Sequence, residues 1–129
     1  MDFFNSNGGV GSITTSGSST AFNTSSDYRL KENIVPLTGA TARINQLKPS
    51  QFNFKADPDT TVDGFIAHEA QAVVPECVTG EKDAVNEDGS INPQGIDQSK
   101  LVPLLTAALQ EALAEIASLK DRVAALEAV

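Results

Sequence analysis

In the stretch SSDYRLKENI, Ser26 and Lys31 place a hydroxyl and an amine five residues apart. A serine hydroxyl becomes a useful nucleophile when a nearby base takes its proton. Lysine can be that base when burial or neighbouring cations lower its pKa toward neutrality. A Ser-His-Asp arrangement would have to use His68, the one histidine in the chain. Positions five apart on a helix are rotated by roughly 140°, and on a strand an odd separation points to opposite faces. If Ser26 and Lys31 act together, the chain between them must turn. Spacing alone carries little, because a solvated turn with capping residues accounts for the same letters.

The elements that would hold such a pair fall into three regions. Residues 1–25 are dominated by Ser, Thr, Asn and Gly, with isolated apolar residues at Phe3, Phe4, Val10, Ile13 and Phe22. That composition allows a disordered linker. It equally allows short strands, since VGSITT alternates β-branched residues between Gly-Gly and Ser-Gly-Ser turn signals. Strands so poor in apolar mass would need identical neighbours to complete their burial.

Residues 26–100 are mixed. INQLKPSQFNF predicts a short helical piece stopped before Pro49, then a strand with Phe52 and Phe54 on one face. DPDTTVDG is expected to be a turn segment. GFIAHEAQAVVPECV is expected to open as a short apolar strand, pass through a short helix and stop at Pro75. TGEKDAVNEDGSINPQG is a polar excursion, a hairpin or a long loop, around Asp88-Gly89.

Residues 101–129 carry the clearest pattern. Val102, Leu105, Leu109, Ala112, Ile116, Leu119, Val123 and Leu126 are separated by 3, 4, 3, 4, 3, 4 and 3. This is an a/d heptad register. Glu115 and Arg122 fall at g, Lys120 and Glu127 at e, so opposite charges can pair between parallel helices. A helix folded onto its own domain is the plainer alternative, and so narrow a seam favours other copies of the chain. β-Branched residues at a with leucine at d favour two strands, a rule that Leu109 and Ala112 blur. Asp97 and Ser99 are both candidate caps for this helix, with Pro103 near its start.

Composition narrows the function classes. The formal charge is −8, which would repel a phosphate backbone or an anionic membrane surface, so no nucleic-acid partner is expected. No unbroken apolar run approaches the roughly 18 residues of a spanning helix, and no membrane association is expected. The N-terminus MDFFNSNGG lacks the basic and apolar regions of a signal peptide. The single Cys77 cannot form an internal disulfide, and with no basic neighbour it reads as a packed residue rather than a nucleophile. Nothing in the sequence calls for a cofactor or a metal.

The run TSSDYRLKENI, followed by PLTGATARINQLKPSQFNF, GFIAHEAQAVVPECV and LVPLLTAALQEALAEIASL, resembles the C-terminal intramolecular chaperone domain of phage endosialidase tailspikes and tail fibres. The resemblance runs through residues 26–126, and Ser-Asp-x-Arg-Leu-Lys is its specific motif. It implies an α+β fold. Residues 1–25 would end an upstream β-fibre with triple-β-helix-like strands, 26–100 would be the chaperone and auto-protease domain, and 101–129 a trimeric coiled-coil helix. It therefore favours strands over a linker at the N-terminus and three copies over two.

By the same resemblance the chain would be a self-cleaving serine endopeptidase acting once. Ser26 would be the nucleophile, Lys31 the general base, and the cut would fall next to Ser26, most simply at Ser25–Ser26. The family often carries Gln where this chain has His68; His68 and Glu69 are offered as supporting residues, and a packing role fits them as well. The partners would be two further copies and the fibre strands of the same polypeptide. Folding and cutting would take place in the host cytoplasm during phage assembly. The fibre would stay in the virion tail, and the released domain would not be retained. An uncleaved trimerisation module at a fibre tip is the alternative, and a protease acting on other proteins the weakest reading.

Overall fold

A computed structural model describes residues 1–129, which divide into two compact units, Met1–Pro36 and Leu37–Val129. The fold is α+β, with short antiparallel strands, two short helices and one long C-terminal helix.

The first unit is an antiparallel meander of β1 (Asp2–Asn5), β2 (Gly8–Ser16) and β3 (Ser19–Thr24), in that spatial order. The strand alternative is the one realised. Two-residue loops connect them; Gly17 opens the second with φ +56, a left-handed conformation that costs glycine little. The β1–β2 register slips between Phe3, opposite Gly11, and Phe4, opposite Gly9, which leaves Val10 as a bulge. No residue of this unit joins the buried core, and Phe4 and Phe22 are 75% and 79% exposed. A small sheet without a packed face is marginal in water.

The second unit contains the core, made of Ala40, Ala70, Val74, Cys77, Val78, Leu101, Leu104 and Ala108. α1 (Ala40–Ile44) packs against α3 (Val102–Glu127). Between them come β4 (Ser50–Phe54), β5 (Asp57–Gly64) and α2 (Ala67–Gln71). Phe52 and Phe54 meet edge to face, with ring centroids 5.4 Å apart.

Asp57–Gly64 corrects the expected turn, because DPDTTVDG is strand β5, paired with β4 through Phe52–Val62 and Ser50–Gly64. The turn is the preceding Lys55-Ala56. Thr60, Thr61 and Val62 supply β-branched residues, and Asp57-Pro58-Asp59 are accommodated where the register shifts beyond Asn53. Asn53 Nδ2 donates to Pro58 O at 2.8 Å and steadies that irregularity. The strand expected at Gly64-Phe65-Ile66 is correspondingly absent: Gly64 ends β5 and Ile66 already caps α2.

The polar excursion is a hairpin. β6 (Val78–Thr79) pairs with β7 (Gly95–Ile96), and Val85 bridges Ile91 nearer the tip. Cys77 is buried at its base, where loss of hydration and the nearby Glu76 push the thiol's pKa up.

Asp97, not Ser99, is the cap before the long helix: its carboxylate accepts from Ser99 N at 3.0 Å and opens a single 3-10 turn, Gln98–Leu101, that runs into α3. α3 carries two apolar stripes one residue out of step. Leu101, Leu104 and Ala108 face the core. The heptad seam does not; Val102, Leu105, Leu109, Ile116, Leu119, Val123 and Leu126 are 44–75% exposed. Within Gln98–Glu127 one 18-residue window reaches a mean hydropathy of 1.3, long and apolar enough to cross a membrane, which its broken apolar run did not predict. Its large exposed apolar residues nonetheless concentrate on the heptad seam, with Glu115, Lys120, Arg122 and Glu127 at its edges, the distribution of a helix that meets other helices.

Candidate functional site

The turn that the Ser26–Lys31 spacing demands is one 3-10 turn, Tyr28–Leu30. Leu30 N donates to Asp27 O and Lys31 N to Tyr28 O, both at 3.1 Å. Asp27 before the turn and Lys31 after it are extended, with φ/ψ of −65/133 and −124/146. The tight turn of three residues brings the flanking side chains together, and Lys31 Nζ donates to Ser26 Oγ at 2.7 Å. Both groups are exposed in the single chain.

Asp27 and Arg29 hold the turn closed. Asp27 Oδ1 accepts from Arg29 N and Nε, each at 2.9 Å, and Oδ2 accepts from Arg29 Nη2 at 2.7 Å. The planar guanidinium matches a carboxylate with two parallel bonds, a geometry lysine cannot supply. The Arg29 side chain, and then its amide, hold the Asp27 carboxyl below the usual aspartate range; the guanidinium is pushed up in return. An exposed pair like this contributes little to stability. Its consequence is local, since it fixes the residues between Ser26 and Lys31.

Ser25 is tied to the sheet. Its amide donates to Val10 O and its hydroxyl to Gly9 O, each at 3.1 Å. The peptide bond between Ser25 and Ser26 therefore lies between a strand-anchored residue and a turn-anchored one.

His68 and Glu69 lie in the second unit, on α2. His68 is exposed and lines a hollow with Lys82, Asp83, Pro93 and Gln94 of the hairpin. Glu69 Oε1 accepts from Lys48 Nζ at 3.0 Å, which gives it a partner of its own. Sequence reasoning named Ser26, Lys31 and the Ser25–Ser26 bond but missed the anchors of Ser25 and the parts of Asp27 and Arg29. An Asp two residues before an Arg, at the start of a short turn, was the available signal for the last two. Nothing local announces the Ser25 anchors, because Gly9 and Val10 reach it only through the β2–β3 pairing.

Residues 26–79 match the family described as chaperone of endosialidase. The match begins at Ser26 and ends with β6, so α3 lies beyond it. No curated protein matches the chain.

Proposed function

We propose, from the match of residues 26–79 to the chaperone-of-endosialidase family, that the chain is an intramolecular chaperone that trimerises, sets the register of a phage fibre or tailspike, and then cuts itself at Ser25–Ser26. The observation that carries this reading is the 2.7 Å hydrogen bond between Lys31 Nζ and Ser26 Oγ.

In the reaction the lysine gives up one ammonium proton to solvent, and its free lone pair then faces the hydroxyl. Lys31 takes the Ser26 proton as Oγ bonds to the carbonyl carbon of Ser25. The C–N bond between Ser25 and Ser26 breaks, and the Ser26 nitrogen receives the proton back from Lys31. The product is an ester between Ser25 and the Ser26 side chain. Water hydrolyses it and separates the upstream strands from the domain.

The assembly half of the reading rests on the open seam of α3 and on the coreless sheet. Seven large apolar side chains are left at 44–75% exposure along one helix face. Two further copies would cover them, with Glu115–Lys120 and Arg122–Glu127 pairing across the edges. Helices form locally and fast, whereas strands that pair between chains wait on distant contacts. A coiled coil can thus align three chains before the slow strands close. Cutting afterwards removes the part that set the register, and the fibre loses its route back. The fibre remains in the virion tail and the domain is left behind.

Mass spectrometry of the purified chain tests the proposal. Two pieces are expected, the second beginning at Ser26, and Ser26→Ala should yield one full-length chain. An unaltered chain that trimerises and stays whole would leave the rival, an uncleaved fibre-tip module.

A further inference from the structure

The two hydrogen bonds of Ser25 have no part in the dyad and lie beyond the last β2–β3 pair, Gly11–Thr24. The Ser25 amide extends that pairing by one rung, onto the carbonyl of the bulged Val10. Its hydroxyl adds a contact that a strand residue does not need, reaching Gly9 O at 3.1 Å. The first bond orients the backbone on the N-terminal side of Ser25, and the second fixes its side-chain rotamer. Both acceptors belong to β2. On the other side, the Asp27–Arg29 fork orients the chain that follows Ser26.

We propose that Ser25 is a positioning residue for self-cleavage: its hydroxyl latches the carbonyl group to be attacked onto β2, so that the pair Ser26 and Lys31 meets its target only when β2 is in place. This rests on the function proposed above. Attack requires Oγ to approach one carbonyl along a narrow path, and misplacement by about 1 Å can cost about a hundredfold in rate. A serine that bonds two consecutive residues of β2 senses the strand directly. Without β2 the Ser25–Ser26 peptide swings free of the turn that holds the attacking group. The latch makes the reaction conditional on strand order, and the conditionality lies in a single hydroxyl rather than in the sheet as a whole.

The chain is made by cell-free translation, and the fraction cut is followed over time by mass spectrometry at several pH values. Ser25→Ala should cut about tenfold more slowly, with the pH dependence of the unaltered chain. Ser25→Thr, which keeps the hydroxyl on a strand-compatible residue, should recover most of the rate. Gly11→Ala gives an independent approach, because its Cβ would lie 2.5 Å from the backbone oxygen of Asn23 and must displace β2 from β3. It should slow cutting, and adding Ser25→Ala to it should cost nothing more. An unchanged rate in Ser25→Ala, a Ser25→Thr chain as slow as Ser25→Ala, a shifted pH profile, or full additivity with Gly11→Ala would each overturn the latch. An unaltered chain that never cuts would overturn the latch together with the function beneath it, and that failure shows without any variant.

Discussion

Glu111 on α3 caps α1 from 71 residues away: its Oε1 accepts from Ala40 N at 2.9 Å and its Oε2 from Thr41 N at 2.8 Å. α1 begins after Gly39, which is left-handed at φ +68 and has no side chain to satisfy the first amides. A carboxylate at a helix start supplies the missing acceptors and suits the positive end of the helix dipole. Thr41 Oγ1 donates to the same Oε2. The Thr41 hydroxyl, followed by the amides of Thr41 and Ala40, holds the Glu111 carboxyl below the ordinary glutamate range.

That depression has a sign. A carboxyl whose folded pKa lies below its unfolded value contributes stability above the unfolded value, 4.5 for an ordinary glutamate, and loses it as pH falls through the folded value. Glu111→Ala should therefore lower the melting temperature at neutral pH and narrow the gap between neutral and acid melts. Thermal scans at pH 7 and pH 3 check this, and equal losses at both would contradict it.

The dyad separates cleanly from the fold. Ser26→Ala and Lys31→Ala should each leave a full-length chain with the circular dichroism of the uncut protein, because both side chains are exposed. Lys31→Arg should fail as well, since guanidinium stays protonated at any usable pH. If Ser25→Ala blocks cutting completely while Ser26→Ala does not, the nucleophile is one residue earlier.

Asp27→Asn keeps the turn's size but removes the charge that grips Arg29. Cutting should slow, and Arg29→Lys should slow it too, because an ammonium cannot make the two parallel bonds. Gel time courses of both variants provide the check. Full rates would remove the fork from the account.

Neighbouring leucines on α3 should behave differently. Leu104 is 3% exposed and Leu109 is 61% exposed. Leu104→Ala should cost about 2–5 kcal/mol of domain stability. Leu109→Ala should spare the domain and weaken self-association. Urea unfolding and sedimentation, run on both variants, tell the two effects apart.

Ile116→Asp would bury a charge from every copy in one layer of a helical bundle. Loss of the trimer in light scattering is expected. An unchanged trimer would rule out the seam, and partition of the unaltered chain into detergent micelles would favour a lipid-facing helix instead.

The heptad of residues 101–129 and the need for a turn between Ser26 and Lys31 were legible in the sequence, because each depends on near neighbours, whereas residues 1–25 fitted a linker as well as strands and only the resemblance favoured strands. Period and spacing record which side chains share a face, and α3 and the 3-10 turn follow from them. β5 was not legible: Asp57-Pro58-Asp59 and Gly64 carry the composition of a turn, and only pairing with β4, across Phe52 and Val62, makes them a strand. The sequence likewise presented two apolar stripes on α3 one residue apart. Which of them joins the core was decided by where α1 docks, and that in turn by Glu111 reaching Ala40 and Thr41. The anchoring of Ser25 was a tertiary matter for the same reason, since Gly9 and Val10 meet it only after the chain has folded back through the β2–β3 hairpin. Local propensity sets what a segment can be, and contacts distant in sequence select among those options by supplying partners for its backbone and cover for its apolar face.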